Sequence, residues 1–325
     1  MPVLDERHDF AHPVEGDTAW SESYYFNCYC PDTDTGFFTR MGIRPNEGTI
    51  DVGMSIWVPG GGLAALRHVR QQTEMIDEDM TVGPITYERL APLKSWRISG
   101  SGDSTLGPVS MDVTFDALTP AIGADGQGKE GSGSSAATRS IVGKGHLEQA
   151  GRWSGWIEVN GKRAELGPDA RGNRDKSWGP RRWGGPKMWR WFSINIGPAS
   201  GAPDDTGTHF GGIRIGTEAG DLHRGWVWHE GESTSVAEWD VRTELEADGV
   251  THKVTHLVVT DKAGRKHELR ADLLRVDPGP AGVRPNATIV NEGLARWTYE
   301  GRTGYGISEY LHQLDGDARP VVPID

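Results

Sequence analysis

The 325-residue sequence predicts an all-β protein built from many short strands as a sandwich or barrel. Apolar and polar residues alternate with a period of two in several runs, which is typical of strands that bury one face. The 45 glycines and 19 prolines favour frequent turns over long helices. Although hydrophobic residues make up 36% of the chain, 13 of its residues are tryptophan, so we expect bulky rings to supply much of the buried surface.

Alternating runs bounded by Gly, Asn, Asp or Pro predict strands at residues 48–58, 109–118, 152–166, 188–196 and 252–261. The segment GLAALRHVRQQTEM, residues 62–75, fits either one helix or one irregular strand. Segments rich in Gly, Ser or Pro predict loops at residues 121–135, 198–208 and 277–285. Near Pro186 a loop dense in Gly and Pro gives way to a new run of strands, which predicts domains at residues 1–185 and 186–325.

Charge and hydropathy narrow the class of protein. The 34 Lys and Arg residues against 46 Asp and Glu residues give a net charge of −12, which disfavours nucleic-acid and anionic-membrane partners. No run approaches the roughly 18 apolar residues of a membrane span, and the N-terminus lacks the pattern of a signal peptide. We therefore expect a cytoplasmic monomer or homodimer. Cys28 and Cys30 share one face of the run SYYFNCYC, which predicts two reduced core thiols.

The common cofactor and metal motifs are missing or lie in the wrong context. Residues 126–131, GQGKEG, match the G-x-G-x-x-G pattern, but loop-like sequence flanks them instead of a strand and a helix. The sequence contains no G-x-S-x-G, G-x-x-x-x-G-K-[ST] or H-E-x-x-H motif. His252 and His256 have no ligand cluster nearby, so we expect them to face solvent. The sequence predicts neither a cofactor nor a metal ion.

The stretch GNRDKSWGPRRWGGPKMWRW, residues 172–191, combines four tryptophans, six basic residues and one carboxylate, Asp175. Such interleaving is found in nucleic-acid platforms, but the net charge of the chain disfavours that interpretation. Strand alternation instead places Trp189 and Trp191 on one face and Arg190 on the other. Two interpretations remain open, a tryptophan-rich structural corner and the wall of a binding cavity.

Three segments of the chain carry a family signature: residues 145–183, which contain GRWSGWIEVNGKRAELGPDARGNRDKSWGPRRW, residues 22–48, ESYYFNCYCPDTDTGFFTRMGIRPNEG, and residues 300–310, EGRTGYGISEY. They resemble the superfamily of carotenoid 1,2-hydratase and kievitone hydratase. The resemblance implies two consecutive lipocalin-like β domains, each a barrel or sandwich with few short helices, and a cavity for a hydrophobic ligand. Relatives often carry histidine after the aspartate of RD-x-SWG, where this chain has Lys176.

Hydration or cyclisation of an alkene needs a proton donor, aromatic walls for a developing cation and control of water. Asp175 among the tryptophans is the first candidate donor, and Glu309 with Tyr305 forms a second acidic set. His146 and Glu148 lie two apart on one strand face and could position water. The candidate substrate-binding residues are Arg174, Lys176, Trp178, Arg181, Trp183, Trp189, Trp191 and Trp228.

The sequence thus favours a cofactor-independent enzyme that hydrates, dehydrates, isomerises or cyclises a hydrophobic terpenoid, steroid or polyaromatic molecule. A non-catalytic carrier of lipophilic ligands would use the same apolar cavity without proton chemistry. A hydrolase or lyase that clamps an anionic aromatic substrate with Arg174 and Arg181 is a further alternative.

Overall fold

The computed structural model describes residues 1–127, 143–198, 206–217, 220–279 and 283–325. Parts of the three predicted loops and of the GQGKEG motif lie outside these residues. The chain forms two compact units, Pro2–Arg181 and Arg182–Asp325, the latter together with Met1. In the described parts, no helix is long and apolar enough to cross a membrane.

The first unit is a strongly curved antiparallel sheet. Its strands are β1 (Trp20–Cys30), β2 (Thr35–Arg44), β3 (Thr49–Val58), β4 (Gly62–Gln71), β5 (Met80–Val82), β6 (Ile85–Ala91), β7 (Ser95–Ser104), β8 (Gly107–Ala117), β9 (Ile122–Ala124), β10 (Gly145–Val159), β11 (Lys162–Glu165) and β12 (Arg171–Pro180). The order across the sheet is β4-β3-β2-β1-β12-β10-β8-β7-β6-β5, and β9 and β11 both pair with β10. Two short 3-10 helices, Glu6–Asp9 and Pro45–Glu47, complete the unit.

The second unit is a closed barrel of eight antiparallel strands joined in chain order. Its strands are β13 (Met188–Ile196), β14 (Thr208–Thr217), β15 (Gly220–His229), β16 (Glu232–Leu245), β17 (His252–Asp261), β18 (Lys266–Asp277), β19 (Thr288–Tyr299) and β20 (Arg302–Gln313). Pairing of β13 with β20 closes the barrel, so every strand has two neighbours and no edge remains. The predicted all-β fold with two barrel-like domains and few short helices is confirmed.

Most of the predicted strands have the expected position. Residues 188–196 and 252–261 are β13 and β17, and the ambiguous segment at 62–75 forms strand β4. The run at 152–166, however, is interrupted by a turn at Asn160 and Gly161, which adopt φ values of 50° and 75°. An Asn-Gly pair accommodates such positive φ angles and reverses the chain into a hairpin, so this run belongs to β10 and β11.

The interior of each unit combines aliphatic side chains with many aromatic rings, as the tryptophan content predicts. Seven tryptophans are almost completely buried: Trp20, Trp57, Trp96, Trp153, Trp226, Trp239 and Trp297. The thiols of Cys28 and Cys30 are free and buried, which confirms the prediction for this pair. The expectation that His252 faces solvent is wrong, because its side chain lies in the interior of the second barrel, while His256 is half-buried.

Candidate functional site

Three titratable side chains meet on one face of the first sheet. His146 and Glu148 are two residues apart on β10, and Glu148 lies directly opposite Asp175 on β12. Since side chains alternate along a strand, this register places all three on the same face. The Nε2 atom of His146 lies 3.1 Å from Asp175 Oδ2 and 3.4 Å from Glu148 Oε1. We call these three residues the His146 cluster.

The His146 cluster combines a buried carboxylate with two more accessible groups. The side chain of Glu148 is 2% exposed, against 20% for Asp175 and 28% for His146. Burial acts to lower the pKa of His146, but the charge and hydrogen bond of Asp175 and the charge of Glu148 outweigh it. The pKa of His146 is therefore raised, against the opposing charge of Arg181. An imidazole between two carboxylates can both accept a proton and release it to a bound molecule.

Hydroxyl groups adjoin the His146 cluster on the same face of β12. Ser177, the cross-strand partner of His146, lies 2.9 Å, between hydroxyl oxygens, from Ser23. The Arg181 guanidinium donates to the Ser177 hydroxyl at 3.1 Å. Ser177 and Ser23 are missing from the sequence-based candidates, because an isolated serine carries no signal until its strand register is known.

The opposite face of β12 points into the core of the first unit. There Arg174 Nη1 donates to Asp9 Oδ1 at 2.6 Å, and both side chains are almost fully buried. Burial acts to raise the pKa of Asp9, but Arg174 outweighs it, so the pKa of Asp9 is lowered. This buried pair connects the 3-10 helix Glu6–Asp9 to the sheet. The guanidinium of Arg174, which the sequence suggested for substrate binding, is therefore already paired within the core.

Lys176 lies on the same inward face. Its ammonium group pairs with Glu22 on β1 and donates to the Phe10 carbonyl oxygen at 2.9 Å. Burial lowers the pKa of Lys176, although Glu22 acts against that shift. Trp178, two residues further, stacks on the His12 ring with 3.8 Å between centroids and 9° between planes. Strand alternation therefore separates Arg174, Lys176 and Trp178, which face inward, from Asp175.

Sequence reasoning also missed Asp9, His12 and Glu22. The run WSESYYFNCYC offered a signal for Glu22, because a carboxylate on the core-facing side of a buried strand needs a cation. Asp9 and His12 gave no comparable signal, since their partners on β12 are more than 150 residues away in the chain.

The second unit carries another group of candidates. Trp189 on β13 donates its indole N–H to Glu309 Oε1 on β20 at 2.6 Å, and Trp191 is the cross-strand partner of Glu309. Tyr305 pairs instead with Asn195, four residues along β20 from Glu309, which corresponds to about 13 Å of strand. The structure therefore separates Tyr305 from Glu309.

The remaining tryptophan candidates lie in the same unit, Trp183 beside Trp189 and Trp228 toward the other end of the strands. Trp183 is 39% exposed, and its ring centroid is 5.7 Å from that of Trp189. Trp228 on β15 donates its indole N–H to Thr206 Oγ1 at 3.1 Å. Arg190, between Trp189 and Trp191, turns into the barrel and lies over the Tyr310 ring at 4.2 Å.

Two consecutive antiparallel units, one barrel-like and one a closed barrel, define a lipocalin-like two-barrel protein. The resemblance found in the sequence is confirmed for the fold. The chain belongs to the family described as domain of unknown function DUF7064, whose model matches residues 5–314. No curated protein matches the sequence.

Solved structures of the same fold include an enzyme. Kievitone hydratase from Nectria haematococca superposes with a TM-score of 0.60 at 15% identity, covering 91% of this chain and 90% of that one. An AttH-like protein from Nitrosomonas europaea gives 0.60 at 14% identity, with 90% and 92% covered. CghA gives 0.59 at 13% identity, with 92% and 89% covered. At these identities the likeness concerns the fold.

Proposed function

We propose that this protein is an enzyme that adds water to a hydrophobic small molecule, removes it, or shifts a double bond within it. The His146 cluster carries the proposal, because a histidine held between two carboxylates is equipped to move a proton. The fold shared with kievitone hydratase supports a hydratase-type reaction. The expected substrate is of terpenoid, steroid or polyaromatic type.

The acid and base strength of an imidazole limits the reactions that His146 can catalyse. An isolated alkene is protonated by acids far stronger than imidazolium, whereas a carbon next to a carbonyl group gives up its proton to a base of moderate strength. We therefore assign proton transfer to His146 and orientation of its ring to Asp175. Glu148, almost fully buried, contacts the same Nε2 atom at 3.4 Å. Together with Asp175 it raises the pKa of the imidazole, which makes the neutral form of His146 a stronger base.

Dehydration of a β-hydroxy ketone illustrates the step. His146 takes the proton from the carbon next to the carbonyl, and the electron pair of the broken C–H bond forms an enolate. The enolate then forms the C=C bond and expels the β-oxygen, which receives the proton from the His146 imidazolium and leaves as water. Hydration is the reverse. In a β,γ-unsaturated ketone, removal of the α-proton by His146 gives a dienolate, and return of the proton to the γ-carbon shifts the double bond.

The aldol adduct of acetone and benzaldehyde is a simple hydrophobic probe for this chemistry. We expect the chelator-treated protein to convert it to benzylideneacetone and to exchange its α-protons in deuterated water. His146→Ala should lose both activities. The matched control is His256→Ala, since His256 also pairs with a carboxylate, Glu244, at 3.0 Å but lies in the second unit. Stoichiometric capture of the probe without exchange or conversion would indicate a carrier instead.

A further inference from the structure

The His146 cluster also has the geometry of a metal site. Its three ligand atoms, one imidazole nitrogen and one oxygen from each carboxylate, all lie within 4.8 Å of one another. We propose that His146, Glu148 and Asp175 bind a single divalent transition-metal ion, for which Zn²⁺ is the probe. This inference rests on the geometry of the site. The ion would bind the same Nε2 atom and carboxylate oxygens that hold His146 in the reaction proposed above, so the metal-bound and metal-free clusters are alternative states of one site.

The spacing of the ligand atoms fits one ion. Zinc bonds to nitrogen and oxygen are about 2.1 Å long, so two ligands are about 3.0 Å apart at a right angle and about 3.4 Å apart at the tetrahedral angle. The distances from His146 Nε2 to Asp175 and to Glu148 are 3.1 Å and 3.4 Å. An ion can therefore bridge His146 and either carboxylate. To hold both carboxylates as well, their ligand oxygens, which lie within 4.8 Å of each other, must come within about 4.2 Å. Three protein ligands leave further coordination positions open, as in catalytic rather than structural zinc sites.

The ligand atoms of the site, and the strands that hold them, favour a transition-metal ion. Imidazole suits Zn²⁺ and related ions, whereas Mg²⁺ and Ca²⁺ prefer oxygen ligands alone. The ligands sit on paired strands, and β9 pairs with β10 from its other side, where Ala124 and Ile122 lie opposite His146 and Glu148. Ligands held on such a framework lose little conformational freedom when the ion binds.

Charge near the site sets the expected strength of binding. The two carboxylates balance a divalent ion, but Arg181 acts electrostatically on His146, and Arg40 interacts with Asp175. These guanidinium groups oppose the ion. Replacement of Arg181 by Gln should therefore tighten zinc binding several-fold, an outcome that damage to the fold would not produce.

Calorimetric titration of the chelator-treated, full-length protein with zinc chloride tests the inference. We expect one equivalent bound, at least about tenfold weaker binding in His146→Ala and Asp175→Asn, and unchanged binding in His256→Ala. Binding of Co²⁺ should give a visible spectrum that disappears in His146→Ala. Absence of zinc binding, or equal binding by wild type and the cluster variants, would overturn the inference. Because the proposed reaction is assayed without metal, its failure is scored separately.

Discussion

Glu148 and Asp175 lie directly opposite each other on β10 and β12, and both carboxylates face the imidazole of His146. Like charges at opposing cross-strand positions are unfavourable, so the pair requires a cation or a proton between them. His146 supplies that group, which explains why a histidine and two acids occupy one small part of the sheet.

This arrangement predicts non-additive effects on stability. His146→Ala leaves the two carboxylates facing each other and should lower the free energy of unfolding by about 1 kcal/mol near neutral pH. Asp175→Asn, added to His146→Ala, should recover part of that loss. Urea unfolding of wild type, both single variants and the double variant measures the coupling. Strictly additive losses would show that the three groups do not interact as described.

The buried ion pair of Asp9 and Arg174 should contribute to the stability of the first unit. Asp9→Asn leaves an uncompensated guanidinium in the core, so we expect a loss of about 3 kcal/mol in the free energy of unfolding. Glu165→Gln breaks the exposed pair with Arg163, which has a similar distance of 2.7 Å, and should cost less than about 0.5 kcal/mol. Equal effects of the two substitutions would contradict the structural role assigned to Asp9.

Because two histidines lie in its interior, we expect the second unit to lose stability at acidic pH. Burial lowers the pKa of His252 to about 4 and that of His312 to about 3, and Arg190 contributes to both shifts. Both folded-state values lie below the ordinary value of 6.5. The stability they contribute is therefore present above pH 6.5 and is lost as the pH falls toward 4, because the unfolded chain takes up protons first.

Each of these histidines should account for about 2 kcal/mol of the stability lost between about pH 7.5 and pH 5. His312→Leu removes one such group, so its stability should depend less on pH than that of wild type by this amount. His256→Ala, at a half-buried position, serves as the control. Urea unfolding at the two pH values gives the comparison, and an unchanged pH dependence in His312→Leu would contradict the account.

Strand alternation predicted much of the fold and only part of the site. It correctly placed Trp189 and Trp191 on one face of their strand and Arg190 on the other, and it placed His146 and Glu148 on the same face of theirs. It could not tell which face is inward, because both faces of β12 and β13 are largely buried. The proximity of Asp175 to His146 depends on the register of β10 against β12, which are separated by a hairpin and a loop, and local sequence does not encode that register.

Solvent exchange of the α-protons of the aldol probe tests the central claim most directly. Nuclear magnetic resonance in deuterated water gives the exchange rate for wild type, His146→Ala and His256→Ala, all treated with chelator. If His146 moves the proton, exchange should fall by about 100-fold or more in His146→Ala and remain unchanged in His256→Ala. Exchange at the same rate in folded His146→Ala and wild type would contradict the claim.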